Sequence, residues 1–251
     1  KTSYGTASLV GRNDILTAGH VIYNPDSGGY AESFEVYFGS DFNHIADVFN
    51  SGDRGVQLRQ GIEFDEFDIT ARPDLFYADN RDDTILWSET AYDMALIGID
   101  NPIGDEIGWL GTSPHFDSIL GEEVIEIAYP DGYGGPMIQG VEVQKLSFVD
   151  VYQSQEKVFG PGASGSPIIA TDPLTDEQYV IGVHSSGGVD RSSYGDLGNV
   201  WDEFLTAQIE NDYRLEAEAL YDFLKAICIG SRNAVILHLI KSMASIITVN
   251  L

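Results

Sequence analysis

The chain has 251 residues, enough for one compact domain or two small ones sharing an interface, and 43% hydrophobic content lets it build a sizeable core. Its net charge of −27 sets up a field that repels nucleic acid and anionic membranes, which excludes a nucleic-acid partner. The single cysteine, Cys228, excludes an internal disulfide framework and a cysteine-rich zinc site.

Glycine is abundant, and the aromatic residues are mainly Tyr and Phe, which favours strands joined by tight turns over a helical bundle. The acidic composition fits either adaptation to salty water or plain solubility. No apolar leader segment follows Lys1, so the chain is expected to begin at a processed or trimmed end.

Short apolar or alternating runs at residues 6–10, 33–38, 94–99, 124–128, 141–151, 167–170 and 179–183 predict strands. Asp26-Ser27-Gly28-Gly29 and Asp131-Gly132-Tyr133-Gly134-Gly135 read as turns or loops. The long acidic stretch 65–88 holds Asp79-Asn80-Arg81-Asp82-Asp83, which reads as a solvated loop because its spacing matches no calcium loop. From Trp201 the period changes. Trp201, Leu205, Ile209, Tyr213, Ala217, Leu220 and Leu224 recur every three or four residues and predict a helix face, with a break near Asn211-Asp212. The tail 225–251 carries Lys225, Arg232 and Lys241 and no acidic residue, and its apolar runs are too interrupted for a membrane span. It receives no function.

Three segments can carry chemistry. In Gly162-Ala163-Ser164-Gly165-Ser166-Pro167, small residues allow a tight turn and close approach of a substrate. They also leave the N–H groups of Gly162 and Ser164 able to converge on an oxyanion. A serine nucleophile needs a base, and His20 follows a strand in Thr17-Ala18-Gly19-His20. The base needs an orienting carboxylate, and Asp93 leads directly into Met94-Ala95-Leu96-Ile97, where burial would demand a partner. Taken singly, each also fits a structural role: a Gly/Ser/Pro turn, a satisfied core histidine, a strand-end aspartate.

Together and in this order, the three segments resemble the motifs of chymotrypsin-like (trypsin-like) serine proteases, over roughly residues 5–209. The resemblance implies an all-β fold of two six-stranded antiparallel barrels with a C-terminal helix. Residues 1–115 would form the first barrel, carrying His20 and Asp93. Residues 116–224 would form the second barrel and the helix, carrying Ser164. It implies Ser164 as nucleophile, His20 as base and then acid, Asp93 as orienter, and an oxyanion hole from the amides of Gly162 and Ser164. Only nineteen residues precede His20, so the first barrel is expected to lack its opening strand or to use another segment in its place. Ala163 stands where animal enzymes carry an activation-linked aspartate, so that switch is expected to be missing.

Within the family the chain looks most like bacterial glutamyl endopeptidases, through Gly-x-Ser-Gly-Ser-Pro and the Ile181-Gly182-Val183-His184 segment. By that likeness His184, with Ser185, Ser186 and Gly187, would line the S1 pocket and favour Glu or Asp at P1, the residue before the scissile bond. Phe159 stands where those enzymes carry a small hydroxyl residue, which would narrow the pocket. The expected protein is then a secreted monomer acting on protein or peptide substrates, requiring no metal or other cofactor.

Two other functions compete. An α/β-hydrolase esterase expects Gly-x-Ser-x-Gly and the order Ser, Asp, His, whereas here Ser166 and Pro167 follow the motif. A non-catalytic binding or adhesion protein on a protease fold would keep such motifs only in part.

Overall fold

A computed structural model describes residues 3–37, 62–64, 66–77, 85–114, 123–133, 135–146 and 148–231. The first half begins with β1 (Ser8–Leu9) and β2 (Asp14–Thr17), followed by a one-turn helix, Gly19–Ile22. Strands β3 (Tyr23–Asn24) and β4 (Gly29–Tyr30) pair across a turn whose Gly28 and Gly29 both adopt positive φ. Strands β5 (Phe34–Val36) and β6 (Ile62–Phe64) form a second small ladder. Next come β7 (Phe67–Ala71) and β8 (Ala95–Ile99). A four-stranded antiparallel sheet runs in the order β1-β2-β8-β7. Strand β8 is buried along its whole length, as its unbroken apolar run Ala95-Leu96-Ile97-Gly98-Ile99 requires.

The second half follows β9 (Gly111–Thr112) with β10 (Glu123–Ala128), β11 (Met137–Leu146), β12 (Val151–Ser154), β13 (Pro167–Thr171), β14 (Gln178–Gly187) and β15 (Ser192–Asp196). Strands β10, β11, β12, β15, β14 and β13 pair antiparallel in that order, and β13 pairs back to β10. This is a closed six-stranded barrel, which leaves no edge of its own exposed. Its interior is Val124, Val141, Val143, Tyr152, Ile168, Ala170, Ile181 and Tyr194. A short parallel strand, β9, adds to β14 on the outside.

Of the two expected barrels, the second half forms one. The first half is an open sheet with two small ladders among the described residues; residues 38–61 lie outside them. Ahead of His20, residues 3–19 make β1, β2 and an N-terminal segment that crosses to the Ser164 loop, where the Thr6 amide donates to the Ser164 carbonyl at 2.8 Å. The run 141–151, read as one strand, is the end of β11 and the start of β12, separated by a turn in which Asp150 has φ 50°.

One core joins both halves to the C-terminal helix. Leu16, Met94 and Leu96 meet Ile169, Val180 and Val183 of the barrel and Phe204 and Ala207 of the helix. That helix, Trp201–Ser231, runs without the expected break. The expected buried face is also corrected. Leu205, Ile209, Tyr213 and Leu220 are exposed, whereas Phe204, Ala207 and Asn211 are buried. The reason is a polar anchor. Asn211 donates to the buried Asp14 carboxylate at 2.7 Å, and a Cβ on Gly98 would overlap its amide group. Phe204 and Ala207 pack into the shared core on the same face, so the polar pair and the apolar contacts fix one helix rotation. Among the described residues no helix is long and apolar enough to cross a membrane. The loop 79–83, His44, His115, His238 and residues 232–251 lie outside the described residues.

Candidate active site

His20 sits on the one-turn helix just after β2, and Asp93 sits two residues before the start of β8. Because β2 and β8 pair with Thr17 opposite Ala95, the ends of the two strands bring the residues together. The His20 amide donates to Asp93 Oδ1 at 2.8 Å, and His20 Nδ1 lies 2.6 Å from Asp93 Oδ2. Gly19 is required by this approach. A Cβ there would fall 2.6 Å from the Phe76 ring and 3.1 Å from Asp93 Oδ1.

The Asp93 carboxylate is fully buried and takes a third hydrogen bond, from Ser185 Oγ at 2.5 Å. A buried carboxylate with three donors is held in one orientation. Since a carboxylate accepts, the His20 ring proton lies on Nδ1 and Nε2 keeps its lone pair. Burial favours the neutral ring, but the charge of Asp93 and its hydrogen bond outweigh this and hold the His20 pKa above its ordinary 6.5. The His20 side chain is 22% exposed, so a substrate can reach it.

Ser164 is half-buried on the loop before β13. Two contacts tie that loop to the first half of the molecule. Thr6 Oγ1 donates to the Gly162 carbonyl at 2.8 Å and accepts from the Tyr129 amide at 2.9 Å. Gly165, with φ 91°, packs so closely that a Cβ would lie 2.0 Å from the Thr6 carbonyl and 3.0 Å from the Ala18 amide, two residues before His20. Gly5 in turn sits between the Ser164 carbonyl and Val21. The Ser164 loop and the His20 helix thus share one N-terminal clamp.

Ala163 and Gly165 donate to Gly160 and His184 carbonyls, respectively. Among the described residues, the amides of Gly162 and Ser164 donate to no partner. Such uncommitted N–H groups beside a serine can receive a developing oxyanion.

The S1 candidates separate. Ser185 Oγ is committed to Asp93, and Ser186 Oγ lies 3.1 Å from Thr90 Oγ1. Gly187 is exposed at the end of β14. His184 is buried, with Nδ1 2.7 Å from Glu126 Oε1. Phe159 is buried beside Ala128 and Ala163 in a small cluster beneath the serine loop.

Sequence reasoning missed Thr6 and Glu126. Thr6 carries no local signal. Glu126 does: an acidic residue at the centre of Val124-Ile125-Glu126-Ile127-Ala128, in phase with the inward-facing Val124 and Ala128. No protein-family model matches the chain, and no curated protein matches it in sequence.

Proposed function

We propose that the chain is a serine endopeptidase. The observation that carries this reading is the buried Asp93 carboxylate, which grips both the amide and Nδ1 of His20 and is braced by Ser185. A serine with two uncommitted amides lies on a loop clamped to the same segment.

In this reading Ser164 Oγ attacks the scissile carbonyl carbon and gives its proton to His20 Nε2. The carbonyl oxygen becomes an oxyanion received by the Gly162 and Ser164 amides. His20 then hands the proton to the leaving amine, and the C–N bond breaks to leave an acyl-enzyme on Ser164. Water, deprotonated by His20, releases the acid product. Asp93 stabilises the imidazolium formed in between.

The chymotrypsin-like architecture, with a first half derived from a second barrel, belongs to the same proposal. So do secretion, a monomeric state and a P1 preference for Glu or Asp through His184. A serine-directed phosphonate is expected to label Ser164. Ser164→Ala is expected to lower peptide cleavage by roughly a millionfold. Full activity in that variant, or labelling elsewhere, refutes the assignment and favours a non-catalytic binding protein. Cleavage-site profiling on a mixed peptide library tests the P1 preference; selection of basic or large apolar residues counts against it.

A further inference from the structure

The barrel interior holds a carboxylate that the proposed peptide hydrolysis does not use. Glu126 points inward from β10 and is fully buried. It accepts three hydrogen bonds: from Ser166 Oγ at 2.6 Å and His184 Nδ1 at 2.7 Å on Oε1, and from the Tyr194 hydroxyl at 2.7 Å on Oε2. The Tyr194 ring stands edge-on to the His184 ring, with centroids 5.0 Å apart. Burial, together with the charge and hydrogen bond of Glu126, pushes the Tyr194 phenol well above its ordinary pKa, so it remains a donor.

The imidazole spans from this carboxylate to the accessible end of β14. The point where a Cβ on Gly187 would sit is 3.9 Å from His184 Nε2 and 3.9 Å from Ser192 Oγ. Gly187 is exposed and lies two residues beyond Ser185, which braces Asp93. The groups facing His184 are Glu126 from β10, Ser166 at the entry to β13, and Tyr194 and Ser192 from β15. The neighbouring Arg191 is turned to Gln153 at 3.0 Å. Glu126 is therefore the one charged group that these contacts set against the ring.

We propose that Glu126 is a positioning residue for substrate selection, a role that rests on the peptidase reading above. It fixes the His184 proton on Nδ1 and turns Nε2 toward the Gly187 edge. It also sets a carboxylate directly behind the ring, and Ser166 and Tyr194 bond that carboxylate and hold its orientation. A carboxylate on the substrate's P1 side chain then completes a carboxylate–imidazole–carboxylate array in which each acid takes one ring N–H, an arrangement that an amide of the same shape does not draw.

Glu126→Gln keeps shape and an acceptor but removes the charge. Its test is the ratio of kcat/KM for paired peptides differing only by Glu or Gln at P1. That ratio is expected to fall roughly tenfold to a hundredfold, the range of one charge-assisted hydrogen bond. An equal loss on both peptides marks Glu126 as merely structural and overturns the proposal, as does an unchanged ratio. Long-range proton–nitrogen NMR on the full chain gives a readout that needs no activity and, in the wild type, no folded variant. The His184 signals are identified by their loss in His184→Asn. They are expected to show a proton on Nδ1. A bare Nδ1 overturns the proposal. An enzyme that cleaves but ignores acidic side chains overturns the selectivity role. A chain that labels at no serine overturns the peptidase reading, and the Nδ1 signal then decides for or against Glu126 as the group that orients the ring.

Discussion

Thr6→Val isolates the clamp that holds the Ser164 loop. Valine has nearly the shape of threonine but lacks the hydroxyl. Thr6 is 3% exposed, so water cannot replace what is lost. Two groups lose a partner, the Gly162 carbonyl and the Tyr129 amide, which now bond Oγ1 at 2.8 and 2.9 Å. The bonds of the Thr6 backbone to Ser164 and Thr17 need not change. Each buried group deprived of its hydrogen bond costs about 1–3 kcal/mol, so the variant should lose about 2–6 kcal/mol. For a chain of this size the melting temperature should fall by roughly 5–20 °C. Equilibrium unfolding in urea reads the loss as a lower midpoint with an unchanged slope. Thr6→Ser keeps the hydroxyl and should stay within about 1.5 kcal/mol of wild type. Phosphonate labelling of Ser164 should slow in Thr6→Val and much less in Thr6→Ser, because the displaced Gly162 carries one of the two uncommitted amides. A Thr6→Val midpoint matching wild type would refute the clamp.

Three further outcomes follow from the same geometry. Burial is the main cause that raises Asp14 from 3.8 to about 6, against the lowering effect of Asn211. The folded chain therefore binds more protons than the unfolded one between those values, and stability falls as pH rises through that interval. Asp14→Asn should gain on the order of 3 kcal/mol at pH 8, and the gain should vanish below pH 4; a urea midpoint series across pH reads it, and a gain that persists in acid contradicts the cause. His20 must be neutral to act as base, so peptide cleavage should rise with pH through a value above 6.5. In Asp93→Asn kcat should fall by roughly 10⁴-fold and the acid limb of the profile should move to lower pH, because the charge that raises His20 is gone; a limb that stays in place shows that another group raises it. Gly165→Ala places a Cβ at φ 91° and 2.0 Å from the Thr6 carbonyl, so it should unfold at lower urea than wild type by several kcal/mol, and an unchanged midpoint would show that the two segments do not pack as described.

Much of the site was legible because its pieces are local. Gly19-His20, Asp93 before an apolar strand, and glycines around Ser164 each satisfy a constraint acting within a few residues, and their order along the chain carried the resemblance. Strand positions were equally legible, since alternation and apolar runs are local patterns. The helix after Trp201 was legible as a helix, but not its buried face. Leu205, Ile209 and Tyr213 give the stronger apolar stripe, yet Asn211 faces inward because Asp14, nearly two hundred residues away in sequence, is buried there and needs a donor.

The sequence by itself therefore determined the strand-rich class, the helix, and the three residue types on which the proposed acyl transfer rests. The tertiary structure decided what depends on distant pairs. It closed β13 onto β10 to make the barrel, let Thr6 bind the loop of Gly162, and set Ser185 against Asp93. It also placed Glu126 behind His184. The physical reason is the same in each case. A buried polar group must find its partner in space, and the partner's distance along the chain leaves no mark on the local pattern.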